Sequence, residues 1–495
     1  MSNITQAAAI GGGVIGGGWI ARLILNGINV KVFDPAPGAE RKVGEMLANA
    51  ERAYGKLTNA PLPKPGKLEY TATLEEAVKD AQFIQESAPE RMELKQSILN
   101  EIDQYAPADA LICSSTSGLM PTELQKGMTH PDRMMVGHPF NPVYLLPLVE
   151  ICGGEKTSDE AKKRAAAFYE YIGMKPLVLR KEIDAFIADR ILEAYWREAL
   201  WLVNDGIATV EEVDDAIRYG AGLRWAMMGT FQVYRIAGGE AGMRHFMSQF
   251  GPALKWPWTK LMDVPELTDE LLDTIADQSD DQAKGVSIRD MERQRDDGLV
   301  SVMQALKTHD LAAGEVLKGY ENSLYARAHA HVEEAEVDLT QPLALHEATV
   351  RPDWVDYNGH MTEHRYLQVF GDATDAFLRF IGMDQDYLAR DRSVYTVETH
   401  IRHLLEVAAE QPLSVTTQVL GLDEKRIRIL HVMRHSETGN VLATAEHMLM
   451  HVDTAQGRAC PLEAPLAGKV HPIWEAHRSL EKPEFSGRGI RELTA

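Results

Sequence analysis

The sequence predicts an α/β nucleotide-binding unit, an all-α unit after it, and a separate α+β unit at the far end of the chain. Three observations carry this. Apolar runs alternate with helical periodicity through about residue 185, helical periodicity alone follows to about 325, and beyond residue 343 one long amphipathic segment precedes four runs of β character. At 495 residues there is room for about three domains of ~150 residues, and 45% hydrophobic content is ordinary for packed cores.

The balance of 51 basic against 73 acidic residues leaves a formal charge of −22. That field repels phosphate backbones and anionic lipid, so neither nucleic acid nor a membrane surface is expected as a partner. Cys113, Cys152 and Cys460 are too few and too scattered for a disulfide framework or a zinc site, which fits a reducing cytoplasm. The N-terminal AAAIGGGVIGGGWIA is apolar, but no Lys or Arg precedes it and glycines interrupt any helix, so it does not read as a signal segment. No later segment reaches the ~20 uninterrupted apolar residues of a membrane span.

In AAIGGGVIGGGWIARLILNGINVKVFD an apolar run, a glycine cluster, a helical stretch and a second apolar run ending in an acid follow in order. This is the pattern of a β-α-β unit. Gly11, Gly13 and Gly16 fit G-x-G-x-x-G, in which the first glycine allows a tight turn, the second lets backbone approach a pyrophosphate, and the third permits close helix packing. The helix N-terminus then faces the phosphates, the arrangement of a Rossmann domain. Asp34, 18 residues past Gly16, ends the second strand. A carboxylate there hydrogen-bonds the adenine ribose 2′-OH and repels a 2′-phosphate, which points to NAD rather than NADP.

AQFIQESAPE (81–90) and ALICSSTSGL (110–119) are further apolar runs ending in small polar residues, as parallel strands do where they open onto a cofactor. In RMMVGHPFNPVYLLPLVEICGG (133–154), His138 closes one apolar strand before Pro139, and Glu150 closes the next. An imidazole held by a carboxylate can take the hydroxyl proton of a secondary alcohol as hydride leaves, while the acid stabilises the imidazolium. Ser117, at the end of its own strand, can bond the same oxygen, although strand-end Ser and His also commonly cap loops.

The order Ser117, His138, HPFNP, Glu150, followed by DAFIADRILEAYWREALWLV and EEVDDAIRYGAG, resembles the 3-hydroxyacyl-CoA dehydrogenase family over about residues 5 to 320. The resemblance implies an NAD-binding domain over 1–185 and an all-α substrate and dimerisation domain over 186–325, hence a homodimer. It implies that His138 and Glu150 are the catalytic pair, that Ser117 flanks the substrate oxygen, and that Glu90 lies near the histidine on the cofactor side. Asp189 stands where the family carries Asn. An Asp still accepts a bond from a substrate hydroxyl or nicotinamide amide, but it adds negative charge that an anionic acyl-CoA meets unfavourably.

YGKLTNAPLPKPGKLEY, where the family carries a Lys-rich helical hairpin that grips CoA, holds three prolines and little helical periodicity. A small free acid becomes the expected substrate. In GAGLRWAMMGTFQVYR (220–235), Arg224 suits bidentate pairing with a carboxylate, and the faces of Trp225 and Phe231 suit a quaternary ammonium. Aromatics at this helical spacing are more often packed core. The stretches AAIGGGVIGGGWIARLILNG, IQESAPERMELK, RWAMMGTF and AGGEAGMRHFMSQFGPAL most resemble the branch of the family that oxidises L-carnitine to 3-dehydrocarnitine with NAD. L-Gulonate and short 3-hydroxyacyl-CoA substrates stand as alternatives.

HVEEAEVDLTQP (331–342), acidic and ended by Pro, reads as a linker over about 326–342. A new unit is expected over 343–470, with 471–495 as a tail. The strand LALHEATV, the loop RPDWVDYNGHM and the helix EHRYLQVFGDATDAFLRFIG precede the β-like runs SVYTVETHIRHLLEV, LSVTTQVLGLD, RIRILHVMRHS and VLATAEHMLMHVD. A long helix followed by a curled antiparallel sheet, with D-x-x-G-H-M and then R-Y, is similar to the 4-hydroxybenzoyl-CoA thioesterase branch of the hot-dog fold. That resemblance implies Asp356 as the catalytic carboxylate, acting as base on water or as nucleophile. It makes Gly359 and His360 the turn at the helix start, where N–H groups polarise a thioester carbonyl. Thr362 and Glu363 replace the asparagines usual in that branch, and an Asx-turn without chemistry is the bland alternative.

Hydrolysis of betainyl-CoA to glycine betaine is the expected second activity, because both units then handle a trimethylammonium group. A non-catalytic, dimerising or acyl-CoA-binding domain is the alternative. His431 with His435, and His447 with His451, lie at even spacing on single strand faces. That pattern allows a metal site but more often marks solvated or tunnel-lining histidines, and no metal is expected.

Replacing Asp34 with Ser is expected to narrow the preference for NAD over NADP, measured as the ratio of kcat/KM for the two dinucleotides. A wild-type enzyme that uses both equally well overturns this reading of the strand end.

Overall fold

The computed structural model describes residues 4–58, 60–237, 240, 242–250, 259–260, 266, 268–331, 337–350, 354–484 and 486–489. The chain divides into two compact units, Met1–Ser323 and Leu324–Ala495.

The strands of the first unit are β1 (Gln6–Ile10), β2 (Asn29–Phe33), β3 (Leu68–Tyr70), β4 (Phe83–Glu86), β5 (Leu111–Ser114), β6 (Met134–Pro139), β7 (Leu148–Gly153) and β8 (Lys175–Val178). They form one sheet in the order β3-β2-β1-β4-β5-β6-β7-β8. Every neighbouring pair is parallel except β6 and β7. The antiparallel step departs from the expected parallel run because the loop from Phe140 to Pro147 is too short for a crossover helix. The other connections carry α1 (Val14–Leu25), α2 (Ala39–Leu57), α3 (Leu74–Val78), α4 (Met92–Tyr105), α5 (Pro121–Leu124) and α6 (Asp159–Tyr171).

Alternation along β1 feeds two cores. Ala7 and Ala9 join Trp19, Val30, Phe83 and Phe168 on one face, whereas Ala8 and Ile10 join Ile84, Leu99 and Ile112 on the other. Arg22 on α1 lies buried within the first face. Its guanidinium donates to the carbonyls of Val143 (2.8 Å), Ile172 (2.9 Å), Leu146 (3.2 Å) and Gly173 (3.2 Å). Those bonds satisfy a charge that burial would otherwise make costly.

The helices that follow are α7 (Ala188–Asn204), α8 (Val210–Ala216), α9 (Gly222–Trp225), α10 (Thr230–Ala237), α11 (Gly242–Phe250), α12 (Asp269–Ala283), α13 (Ile288–Lys307) and α14 (Ala312–His331). Their starts are written in local chemistry: Thr209 and Glu212 form a capping box on α8, and Thr268 and Ser287 cap α12 and α13. Helix α13 docks on α2 through Asp297, which takes Arg52 at 2.7 Å and Lys56 at 2.8 Å. Buried Asp296 accepts from Tyr144 at 2.6 Å. Helix α14 continues to His331, so the linker expected from 326 begins inside a helix. Leu317, Tyr320 and Leu324 are buried at helical spacing, and that apolar stripe carries the helix up to the acidic stretch.

The second unit contains β9 (Leu343–Thr349), α15 (Glu363–Phe380), α16 (Gln385–Leu388), β10 (Arg392–His403), β11 (Pro412–Leu422), β12 (Arg426–His435), β13 (Val441–Asp453), β14 (Arg458–Ala459) and α17 (Ala464–His477). The sheet is antiparallel in the order β10-β13-β12-β11-β9, with β14 beside β13. Helix α15 lays Tyr366, Val369, Phe370, Ala373 and Phe377 onto it. Residues past 470 are not a free tail. Leu466, Val470 and Ile473 of α17 are buried, and His477 accepts from the Val419 N–H and donates to the Gln341 carbonyl, both at 3.0 Å.

Beneath α15 lie buried histidines. The Thr374 hydroxyl donates to the Phe370 carbonyl (2.9 Å) and so accepts from His431 Nε2, which leaves His431 Nδ1 to accept from the Thr417 hydroxyl (both 2.9 Å). That network requires a neutral ring. Burial, with His447 and His346 nearby, pushes the His431 imidazole well below its ordinary value. Burial pushes His447 down to about 4, and burial together with Arg379 does the same to His346. Among the described residues no group of His, Cys, Asp and Glu is placed to hold a metal.

Unfolded imidazoles take up protons near 6.5, whereas the folded ones do so only near 4 or below, so acid favours unfolding. Stability of this unit is full above about pH 6.5 and declines as pH falls toward 4. Calorimetric scans of the full chain are expected to show its transition dropping by ~5 °C or more between pH 7 and 5. His447→Gln should flatten that dependence, and a transition that stays in place across the window removes these imidazoles as its cause.

Candidate active sites

The turn between β1 and α1 is shaped by what its glycines touch. Gly11 has a φ of +101°, and a Cβ there would lie 2.7 Å from the Ser87 carbonyl oxygen. At Gly16 a Cβ would lie 1.9 Å from the Gly11 carbonyl oxygen, so α1 sits directly on the turn. Gly13, the residue preceding α1, faces open space with nothing within 4 Å of a Cβ. No acid occupies the first turn of α1, so its N-terminal partial charge remains available to a phosphate. Asp34, just past β2, accepts from the Gly12 N–H at 2.7 Å and the Ala36 N–H at 2.8 Å. Each oxygen keeps a lone pair for a ribose hydroxyl. An open cradle of backbone N–H groups with a carboxylate at its far side fits NAD.

Next to it lies a buried ion pair that the sequence reading missed. Glu86, at the end of β4, takes Lys95 of α4 at 2.8 Å, the Ala88 N–H at 2.6 Å and the Ser114 hydroxyl at 2.5 Å. Lys95 also donates to the Ala88 carbonyl at 2.9 Å and reaches Glu90 at 3.5 Å. Glu90 in turn accepts from the Thr116 hydroxyl and from the backbone N–H groups of Ser117 (3.0 Å) and Gly118 (3.4 Å). In this structure Glu90 therefore holds the turn that presents Ser117, and the Ser117 residue is exposed. The only trace in the sequence is an acid ending a strand and a lysine nine residues on.

His138 and Glu150 are directly opposite each other across the β6–β7 pair. The antiparallel register thus joins residues twelve apart, and His138 Nδ1 lies 3.1 Å from Glu150 Oε2. The second oxygen of Glu150 accepts from the N–H groups of Ile187 and Ala188 at the start of α7, both at 3.0 Å. Burial alone would raise the Glu150 carboxyl, but the bonds from His138, Ala188 and Ile187 outweigh it and hold it below the ordinary carboxylate range. With Nδ1 donating to the carboxylate, Nε2 is the free base of a neutral ring. Nε2 points to Asp189, whose Oδ2 is 3.5 Å away. Phe140 and Phe186 flank the imidazole at 4.9 and 5.7 Å. Ala185 and Phe186 adopt φ values of +58° and +48°, a left-handed kink that costs on the order of 1–3 kcal/mol per residue. Burial of Phe186 and the two N–H bonds to Glu150 offset that strain.

Arg224, Trp225 and Phe231 lie on α9 and α10, and all three are exposed, Trp225 by 47% and Phe231 by 78%. Among the described residues no hydrogen bond, ion pair or ring contact links them to His138. Trp225 lines a pocket of about 630 Å³ with Met227, Met228, Arg235, Asp310 and Glu315, and Arg224 and Phe231 do not border it.

In the second unit Asp356 sits in the turn before α15. Its carboxylate accepts the Asn358 N–H at 2.8 Å and the Asn358 side-chain amide at 3.2 Å. The Gly359 N–H bonds the Asp356 carbonyl at 2.9 Å, and the Asp356 N–H bonds the His360 carbonyl at 3.0 Å. Gly359 has a φ of +79°, a conformation that disfavours a side chain. His360 Nδ1 is 3.5 Å from Glu406. Support for the carboxylate comes from Asn358, within the turn, rather than from Thr362, whose hydroxyl donates to the Trp354 carbonyl at 3.2 Å. The Asn358 N–H bond gives the Asp356 side chain the Asx-turn geometry that the sequence allows, and the Asn358 side-chain amide adds a second bond to the other oxygen.

A glycine turn for a dinucleotide and a His–Glu pair on one sheet define an NAD-dependent hydroxy-acid dehydrogenase, followed by a unit with a carboxylate in the turn before its long helix. Residues 6–183 match the 3-hydroxyacyl-CoA dehydrogenase NAD binding domain, residues 186–270 the 3-hydroxyacyl-CoA dehydrogenase C-terminal domain, and residues 350–470 the Thioesterase-like superfamily. The L-carnitine dehydrogenase/betainyl-CoA thioesterase of Agrobacterium fabrum is 56% identical over 488 residues, covering 99% of this chain and 98% of that protein. The L-carnitine dehydrogenase of Mesorhizobium japonicum is 63% identical over 329 residues, 66% of this chain and 90% of its own. Among solved structures, a 5-formyl-3-hydroxy-2-methylpyridine 4-carboxylic acid 5-dehydrogenase, described as an NAD+ dependent dismutase, superposes with a TM-score of 0.53 at 27% identity, covering 61% of this chain and 99% of that one. The chain belongs to the L-carnitine dehydrogenase/betainyl-CoA thioesterase family.

His138→Ala is expected to lower the rate of alcohol oxidation by about 10²-fold or more while leaving NAD binding intact. Steady-state rates beside a dinucleotide titration check this, and unchanged turnover rules out His138 as the base.

Proposed function

We propose that the chain carries two activities: NAD-dependent oxidation of L-carnitine to 3-dehydrocarnitine by the first unit, and hydrolysis of betainyl-CoA to glycine betaine and CoA by the second. The observation that carries this is similarity along 99% of the chain to a protein named for both activities, with a His–Glu pair in one unit and an Asp in the turn preceding α15 in the other.

In the first unit Gly11, Gly13, Gly16 and Asp34 hold NAD, with Glu90 supporting the turn beside it. NAD supplies the hydride acceptor when bound. His138 Nε2 takes the proton of the carbinol hydroxyl, Ser117 bonds the same oxygen, and Glu150 stabilises the imidazolium that results. Arg224 is assigned to the substrate carboxylate, and the faces of Trp225 and Phe231 to the methyl groups of its trimethylammonium end. In the second unit Asp356 activates water against the thioester carbonyl, which the first N–H groups of α15 polarise, and Gly359 and His360 shape the turn. A second reading, a turn without chemistry, draws on the two bonds by which Asn358 engages the Asp356 carboxylate.

A homodimer fits both units. Helix α7 contains no buried residue, and it exposes Ile191 (68%), Leu192 (52%) and Trp196 (57%) along one side. An apolar stripe of that kind calls for a second surface, and a twofold axis provides it. Among the described residues β10 ends the sheet, and it similarly exposes Tyr395 and Val397. No described helix is long and apolar enough to cross a membrane, and free Cys113, Cys152 and Cys460 support a cytoplasmic setting.

Asp356→Asn is expected to abolish betainyl-CoA hydrolysis and to leave carnitine oxidation unchanged. A chain ended at Thr340, which keeps α14 whole, should still oxidise carnitine. Retained hydrolysis in the variant assigns that activity elsewhere, and loss of oxidation in a folded, dimeric truncation makes the second unit part of the first activity.

A further inference from the structure

Asp189 places a second carboxylate on the base. His138 is gripped on Nδ1 by Glu150 at 3.1 Å and met on Nε2 by Asp189 at 3.5 Å, so the nitrogen that must receive the substrate proton already faces a negative charge. Glu150 is fully buried and its bonds are spent on His138 and the α7 backbone, whereas Asp189, in the first turn of α7, keeps part of its side chain accessible. Burial raises the Asp189 carboxyl; His138 opposes the rise, and the charges of Glu150, Glu193 and Glu90 add to it. With the imidazole neutral, the carboxylates on either side of His138 have no positive charge between them, a condition that a bound cation relieves.

The substrate of the proposed oxidation brings such a cation to that place. In L-carnitine the trimethylammonium nitrogen is separated from the carbinol carbon by a single methylene. A hydroxyl bonded to His138 Nε2 therefore keeps the ammonium nitrogen within about 6.5 Å of Nε2, by ordinary bond lengths, and so within reach of the carboxylate that faces it. Trp225 and Phe231 offer that ammonium apolar faces but no charge, whereas Asp189 sets a carboxylate 3.5 Å from the histidine. We propose that Asp189 is a specificity-determining residue whose carboxylate pairs with the substrate's quaternary ammonium, selecting hydroxy acids that carry a cation one methylene from the carbinol. This rests on the reading of the first unit as a carnitine dehydrogenase. A quaternary ammonium has no N–H to donate, so the selection is by charge, and the isosteric amide of asparagine removes it without changing shape.

The test compares L-carnitine with its uncharged isostere, 3-hydroxy-5,5-dimethylhexanoate, in which carbon replaces nitrogen. In the full-length Asp189→Asn variant the ratio of kcat/KM for carnitine to that for the isostere is expected to fall by about 10- to 100-fold. Asp189→Glu should keep most of the ratio. Calorimetric binding of L-carnitine to the NADH complex, which needs no turnover, should weaken by a similar factor in Asp189→Asn. A ratio within twofold of wild type, or equal losses on both substrates, overturns the assignment while leaving carnitine oxidation standing. A wild-type enzyme that oxidises another 3-hydroxy acid but not L-carnitine overturns the functional reading, and this one with it.

Discussion

The carboxylate of Glu150 ties the first unit together at the point where its chemistry lies. One oxygen fixes His138 across an antiparallel strand pair, and the other takes two backbone N–H groups from the start of α7. A helix N-terminus carries partial positive charge, so the same carboxylate that orients the base also anchors the helix. Everything that α7 brings to the site, Asp189 first, depends on that anchorage. The left-handed backbone at Ala185 and Phe186 shows what the anchorage overrides, since neither residue would choose that conformation alone.

A second buried carboxylate performs a parallel task on the cofactor side. Glu86 at the end of β4 and Lys95 on α4 neutralise each other, and Lys95 then reaches Glu90, which holds the backbone presenting Ser117. The removal of either partner would leave an unpaired charge at full burial, a strongly destabilising state. Two acids and one lysine thus set the geometry of a turn whose own sequence, SSTSG, would be compatible with many conformations. The second unit uses a different device. Its sheet buries neutral histidines bonded to threonines under α15, which gives the unit a polar interior sensitive to acid.

Much was settled by the order of residues alone. G-x-G-x-x-G followed by a helix and an acid-ended strand requires a dinucleotide turn because only glycine tolerates the contacts at Gly11 and Gly16. The alternating strands, the capped helices and the change of periodicity near residue 343 follow from local sterics and from which residues avoid water. His138 and Glu150 could be paired from their two strand ends and by resemblance, whereas Asp356 was singled out by resemblance alone. Other features depended on partners remote in sequence. The antiparallel step that sets His138 opposite Glu150, the Glu86–Lys95–Glu90 chain, the exposure of Phe231 and the burial of α17 were decided by tertiary packing. Local pattern determines which face of an element seeks burial, but which charge it meets there is set by loops closing over long stretches of chain, and no spacing rule encodes that meeting.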